Sequence, residues 1–283
     1  MKIYTIYKIV AGSYTCVSED GTEINIPAAG RLRYENITPL VGDKVKIDGT
    51  KIVQILERKN EFIRPKVANV DQMLVFMSIK DPEFQPFLVD KYLAIIEAKN
   101  IEPIFCFTKI DLDQAEAIKW KIYYQKMGYK VFLIDNSVPD NLNELKALFK
   151  NKYSVFMGQS GVGKTTTLNN LGKYSFETQN ISKALGRGKH TTRVVMIVPF
   201  NDGYLIDTPG FSSLILDLDE LELAQSYFSF KKLAPSCKYR SCLHQNESIN
   251  DCAIKQHIGT DLIPELRYQN YLKLLLEVPE KRY

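Results

Sequence analysis

Hydrophobic and polar positions change rhythm twice along this chain. Up to about residue 66, apolar residues fall in short β-rich runs: Lys2–Val10, Tyr14–Ser18, Glu23–Pro27, Lys44–Ile47 and Ile52–Leu56. Turn signals at Gly12-Ser13, Asp20-Gly21, Gly42-Asp43 and Asp48-Gly49 separate them. Short strands at this spacing predict a small closed barrel, because closure removes the exposed edges of an open sheet. From about 67 to 216 the apolar runs become nearly continuous: Gln72–Ser78, Pro103–Phe107, Lys130–Ile134, Tyr153–Met157, Val194–Val198 and Tyr204–Ile206. They alternate with helical stretches such as Val89–Lys99, Gln114–Met127 and Leu142–Phe149. Strands without polar alternation are covered on both faces, which predicts a mainly parallel α/β sheet. Beyond about 217, helical periodicity at Asp219–Phe228 and Leu262–Leu276 flanks a cysteine-rich loop. The expected domains are therefore a barrel at 1–66, an α/β domain at 67–216 and a helical metal-binding domain at 217–283.

Composition narrows the class. With 45% hydrophobic and 25% charged residues, the chain has enough apolar surface to fold and no disordered bias. No apolar run approaches the roughly 18 residues of a membrane helix, and the N-terminus has no secretory pattern, so no membrane partner is expected. Five cysteines, unevenly placed, make a disulfide framework improbable and fit a reducing cytoplasm. A net charge of +4 is compatible with nucleic acid. Arg31, Arg33, Arg58, Lys59, Arg64 and Lys66 gather in the second half of the barrel region, and with Tyr34 they form a candidate RNA face.

The strongest chemical signal is Gly158-Gln159-Ser160-Gly161-Val162-Gly163-Lys164-Thr165, which fits the phosphate-loop pattern between an apolar strand and the helical run from Thr166. Its glycines let backbone N–H groups surround phosphates, and the helix N-terminus adds positive potential. Lys164 would meet the β- and γ-phosphates, the Thr165 hydroxyl would bind magnesium, and Thr166 completes the cofactor-binding run. Asp207-Thr208-Pro209-Gly210 follows the Tyr204–Ile206 run. There Asp207 would hold magnesium through water, and the Gly210 N–H would approach the γ-phosphate. Between the two lies Gly186–Arg193, a polar stretch suited to a switch, in which Thr192, or second Thr191, would reach magnesium when the γ-phosphate is present.

Base choice points to Thr108-Lys109-Ile110-Asp111 after the Pro103–Phe107 run. The Asp111 carboxylate can accept from the guanine ring N–H and amino group, a pair adenine lacks. Lys109 would lie along the base. Thr108 stands where such boxes usually open with Asn, and it keeps a hydrogen-bonding hydroxyl. This box precedes the phosphate loop, whereas the common order is the reverse. A circular permutation accounts for that without altering the sheet. Further on, Cys237, Cys242, His244 and Cys252 supply three thiolates and an imidazole, a complete set for one closed structural zinc site per chain. Cys16 and Cys106 fall in predicted strands as core residues, His257 is expected on an exposed helix, and Trp120 within a helix packing.

Together these residues resemble the RsgA (YjeQ/YloQ) family of circularly permuted GTPases over nearly the whole chain. Gly158–Thr165 and the junction Arg64–Gln72 carry the likeness most directly. The resemblance implies an N-terminal OB-fold barrel, a permuted GTPase domain and a zinc domain. It further implies a monomeric, cytoplasmic GTPase that acts late in small-subunit maturation. Such a protein binds rRNA of the small ribosomal subunit through its barrel and zinc arms and leaves on hydrolysis to GDP. Phe211 stands where many GTPases place a water-orienting glutamine, and the resemblance puts His190 in that role. The second guanine-facing loop reads Asp135-Asn136-Ser137 where the family usually has Ser-Ala-Lys, and the His244 to Cys252 spacing is longer than in many relatives. The competing classes are a metabolic P-loop kinase, which needs no guanine box, and an RNA-binding module with a structural nucleotide.

Overall fold

The computed structural model describes residues 2–62, 64–138, 142–172, 195–208 and 216–278. Its strands are β1 (Ile3–Val10), β2 (Ser13–Ser18), β3 (Glu23–Pro27), β4 (Lys44–Asp48), β5 (Lys51–Ile55), β6 (Glu61–Phe62) and β7 (Val67–Ala68). They continue as β8 (Gln72–Ser78), β9 (Glu102–Thr108), β10 (Lys130–Ile134), β11 (Tyr153–Met157), β12 (Met196–Phe200) and β13 (Gly203–Asp207). The helices are α1 (Gly30–Tyr34), α2 (Pro86–Ala98), α3 (Gln114–Lys126), α4 (Asn143–Ala147) and α5 (Lys164–Leu171). In the C-terminal region they are α6 (Glu220–Ala224), α7 (Phe228–Leu233), α8 (Ala253–Gln256) and α9 (Glu265–Glu277). Packing divides the chain into two units. One comprises Met1–Gln72, Pro139–Met157 and Lys164–Ser212; the other comprises Met73–Val138, Gly158–Gly163 and Ser213–Tyr283.

In the first unit β1 pairs antiparallel with β2 on one side and β4 on the other, while β2 pairs with β3 and β4 with β5. A parallel bridge from Ala28 to Ile52 joins the β3 end to β5 and closes the barrel. Inward positions alternate as a closed sheet requires: Ile6, Cys16, Ile26, Leu32, Val45 and Ile52 form its core. The register of β1 shifts between Ile6 and Lys8, and Lys8 then pairs with Met196 of β12. A bulge re-aims a strand in this way, so β1 serves both the barrel and the β12–β13 ladder. There β12 runs two residues beyond the expected stretch to Phe200, because the hairpin turn falls at Asn201-Asp202, both with positive φ. Parallel pairing of β13 with β11 supplies the α/β character of this unit.

In the second unit the sheet order is β10-β9-β8, with β9 and β10 parallel. Every residue of β8 is buried, as its continuous apolar run requires. Pro86 opens α2 at the first helical turn, where its missing N–H costs nothing. Asp113 caps α3 by accepting from the Glu116 N–H. Trp120 packs α3, stacking on Phe84, and Cys106 and Cys16 are core residues. The expected Asp219–Phe228 helix is two helices. Asp219 and Glu222 form a capping box on α6, but Tyr227 is extended and the Phe228 N–H goes to the Glu97 carboxylate at 2.6 Å. A tertiary partner thus takes the donor that would have continued the helix. Helix α9 starts at Glu265 rather than Leu262, since Ile263 bridges to Ile258. His257 is half-buried at the end of α8, its Nδ1 2.7 Å from the Ala253 carbonyl.

Candidate functional site

The base box grows from β9, which ends at a fully buried Thr108. The Thr108 hydroxyl donates to the Val162 carbonyl at 2.6 Å, tying the box to the phosphate loop within one unit. Lys109 adopts a left-handed backbone, and its ammonium bonds the Asp81 carbonyl. Asp111 sits in a short 3-10 turn with its side chain exposed. In the loop expected to face guanine second, the Asp135 carboxylate accepts from the Ser137 hydroxyl at 2.6 Å and from its N–H at 2.9 Å, which holds its pKa below the ordinary value. Asn136 reaches the phosphate loop, its Nδ2 3.2 Å from where a Cβ on Gly163 would stand.

Two glycines of the phosphate loop answer to space and backbone. A Cβ on Gly158 would penetrate the Phe76 carbonyl of the buried strand β8, and Gly163 has φ +85°. Gln159, Ser160 and Gly161 complete the turn. Lys164 and Thr165 open α5 in the other unit. Burial alone depresses the Lys164 pKa. That unit also holds Asp207 at the end of β13, and beside it the buried Thr208 hydroxyl has no partner among the described residues. These oxygens suit magnesium, a hard cation that keeps several waters. Gly210, Phe211, His190, Thr191 and Thr192 lie outside the described residues.

The cysteine–histidine set converges as its spacing predicted. One ligand atom from each of Cys237, Cys242, His244 and Cys252 lies within 4.8 Å of the others. His244 Nδ1 is 3.2, 3.4 and 3.8 Å from the sulfurs of Cys242, Cys252 and Cys237. A tetrahedral zinc with ordinary bond lengths would set nitrogen and sulfur about 3.5 Å apart. His244 Nε2 faces the Ala224 carbonyl at 3.2 Å, so its N–H points there and the Nδ1 lone pair faces the thiols. Burial holds the imidazole neutral and pushes the Cys242 and Cys252 thiols up, and a bound cation reverses the latter effect. The residues fit zinc. With four protein ligands, they leave no open position for chemistry.

The candidate RNA face loses members. Arg58 is occupied by Asp43, Glu61 and the Thr38 carbonyl, and Lys59 pairs with Asp71 at 2.9 Å. Tyr34, 90% exposed on α1, remains with exposed Arg64 and Lys66 and with Arg31, whose guanidinium lies 3.2 Å from the Glu35 carboxylate just past the same helix. Sequence reasoning missed a buried polar group formed by Asp90, Glu97, Arg267 and Asn270. Two carboxylates seven positions apart in α2, with Lys91 the one other charged residue of that helix, were the available signal.

The chain matches the RsgA GTPase family model over residues 55–217. It is 51% identical over 279 residues to the small ribosomal subunit biogenesis GTPase RsgA of Mycoplasmopsis agalactiae, covering 98% of each chain. Identity to the protein of the same name from Halalkalibacterium halodurans is 41% over 286 residues, 97% of this chain and 96% of the relative. Among solved structures it is similar to YloQ, described as a circularly permuted GTPase, with TM-score 0.78, 34% identity and coverage of 100% and 96%. YjeQ from Thermotoga maritima gives TM-score 0.81 at 29% identity, with 99% of each chain covered.

Proposed function

Because the chain belongs to the RsgA GTPase family, we propose that it hydrolyses GTP during late maturation of the small ribosomal subunit and leaves the particle when hydrolysis is complete. The observation that carries the GTP reading is the bond from the buried Thr108 hydroxyl to the Val162 carbonyl. One nucleotide must meet a base box and a phosphate loop at once, and this contact fixes the spacing of the two. Asp111 accepts from the guanine ring N–H and amino group, with the Lys109 stem along the base. Backbone N–H groups from Gly158 to Gly163 surround the phosphates, and Lys164 neutralises the charge that builds between the β- and γ-phosphates. Thr165 and Asp207, with Thr192, would hold magnesium, which supplies charge to those oxygens when bound. His190 is assigned by family likeness to orienting the attacking water.

Exposed Tyr34, Arg31, Arg64 and Lys66 suit rRNA: the arginines and lysine meet phosphates, and an exposed tyrosine can stack on a base. Zinc in the Cys237, Cys242, His244 and Cys252 set is structural and shapes a second RNA-facing region. The protein works as a cytoplasmic monomer, and no helix among the described residues is long and apolar enough to cross a membrane. Competition between GTP and ATP for the purified protein tests the nucleotide class, and ATP binding as tight as GTP points to a kinase instead. Co-sedimentation with small and large subunits, in a non-hydrolysable GTP analogue and in GDP, tests the partner. Binding confined to the small subunit and to the GTP-like state is the expected result.

A further inference from the structure

Within the second unit, a guanidinium, a carboxylate and an amide are buried together between α2 and α9, and neither the nucleotide chemistry nor the metal set uses them. Arg267 of α9 is 1% exposed, and its Nε lies 2.7 Å from Asp90 Oδ1 on α2, also 1% exposed. Asn270 donates to Asp90 Oδ2 at 2.6 Å, and the Tyr227 hydroxyl donates to the Asp90 carbonyl at 3.1 Å. Arg267 Nη1 donates to the Tyr129 hydroxyl at 3.1 Å, and the guanidinium stands 5.5 Å from the Tyr129 ring centre and 4.9 Å from that of Tyr227. Burial pushes the Asp90 carboxyl up and would lower the guanidinium. Asp90 and the tyrosines nevertheless hold Arg267 above its ordinary range, so the guanidinium stays charged. A buried ion pair adds little net stability over an apolar contact of the same volume. What it fixes is one directed bond, from Nη1 to the Tyr129 hydroxyl, since Nε and Nη2 find no hydrogen-bond partner among the described residues and Asp90 is met by charge alone.

The elements it joins give that geometry a use. Helix α2 leads into β9, which ends at the guanine box Thr108–Asp111. Tyr129 immediately precedes β10, which ends at the second guanine-facing loop, Asp135–Ser137. Arg267 therefore holds α2 and the start of β10, and the two loops stand at the far ends of β9 and β10. On its other side, α9 grips the metal-binding loop: Tyr268 donates to the His244 carbonyl at 2.7 Å and Tyr271 to the Leu243 carbonyl at 2.5 Å.

We propose that Arg267 is a positioning residue for guanine recognition, and that through α9 the metal and the guanine base favour one another's binding. This rests on the reading that Asp111 contacts guanine and that the Cys/His set takes zinc. Coupling of this kind is reciprocal: the factor by which zinc tightens GDP equals the factor by which GDP tightens zinc.

The test uses the full-length, zinc-loaded protein and displacement of a fluorescent GDP by three probes. GDP carries the guanine amino group, inosine diphosphate lacks it, and tripolyphosphate touches only the phosphate loop. The ratio of guanine to inosine affinity isolates the Asp111 contact from overall stability. Arg267→Lys keeps the charge opposite Asp90 but loses the fork that reaches Tyr129, and Tyr129→Phe removes the hydroxyl that accepts from Arg267 and also bonds Glu97. In both variants the ratio should fall by at least about threefold, with tripolyphosphate displacement unchanged. Chelator-stripped wild type should show the same fall, and saturating GDP should tighten zinc by the factor that zinc tightens GDP. Should Arg267→Lys fail to fold, Tyr129→Phe and the stripped wild type carry the test. A wild-type ratio in Tyr129→Phe and in stripped protein overturns the proposal and leaves Arg267 as a structural contact. Loss of tripolyphosphate binding in step with GDP also overturns it. A wild type that does not distinguish the two nucleotides removes the guanine reading itself, and the coupling with it.

Discussion

Asp111 is exposed within a short turn and makes no side-chain bond among the described residues that its replacement would break, which makes it a clean residue to change. Asp111→Asn turns an acceptor of two guanine donors into a group that offers a donor. GDP should weaken by about 100-fold, and xanthosine diphosphate, whose ring oxygen calls for a donor, should gain. Titration with both nucleotides checks this, and equal loss of both would count against base reading. Glu97 makes a different prediction. Burial raises its pKa to about 7, against the opposing pull of Arg267, Tyr129, the Phe228 N–H and Lys231. A carboxyl that binds its proton more tightly folded than unfolded favours the folded state at low pH. Its contribution falls as pH rises from the unfolded value near 4.5 through about 7. Relative to Glu97→Gln, wild type should lose roughly 3 kcal/mol across that window. Urea unfolding of both proteins at pH 5 and pH 8 measures the difference, and parallel pH profiles would contradict it.

Elements set what the phosphate loop tolerates. Gly158 takes φ +140° and lies against the Phe76 carbonyl, and β8 has no exposed residue through which to retreat. Gly158→Ala should therefore lower stability by about 1–3 kcal/mol and weaken all nucleotides alike, unlike Asp111→Asn. Calorimetric melting together with GDP and ADP titration separates the two effects. The break between α6 and α7 shows the reverse dependence. The stretch Asp219–Phe228 has helical periodicity throughout, yet Glu97 takes the Phe228 N–H and Tyr227 turns inward. Periodicity reports which face an element buries, and it is silent on a distant side chain that competes for a backbone donor. The arginine cluster of the barrel behaves similarly: Arg58 is basic in the sequence and internally neutralised by Asp43 and Glu61 in the fold.

At the scale of the whole molecule, turnover should depend on the partner. A GTPase with phenylalanine after the Asp207–Gly210 element lacks a water-orienting glutamine there, so hydrolysis by the isolated protein should be slow. Small subunits should raise it by at least about tenfold and large subunits little. Lys164→Ala should abolish turnover with or without subunits, while His190→Ala should keep GTP binding and lose most of the stimulation. Phosphate release measured at subunit concentrations that show co-sedimentation decides the matter, and equal rates with and without small subunits would separate binding from activation.

Much of this protein is set locally and is therefore readable in its sequence. Apolar runs place β8, β10 and β11 at their observed bounds, and motif spacing marks the Gly158–Thr165 loop, the Thr108–Asp111 box proposed to read guanine, their permuted order and the Cys/His set that the fold brings together. Each of these depends on residues a few positions apart, where periodicity and ligand geometry act directly. Tertiary structure alone decided the bond from Thr108 to Val162, the pairing of Arg267 with Asp90, and the joining of β1 to β12. In each case the partner lies tens to hundreds of residues away. A buried hydrogen bond or ion pair has its meaning only from the group the fold brings to meet it.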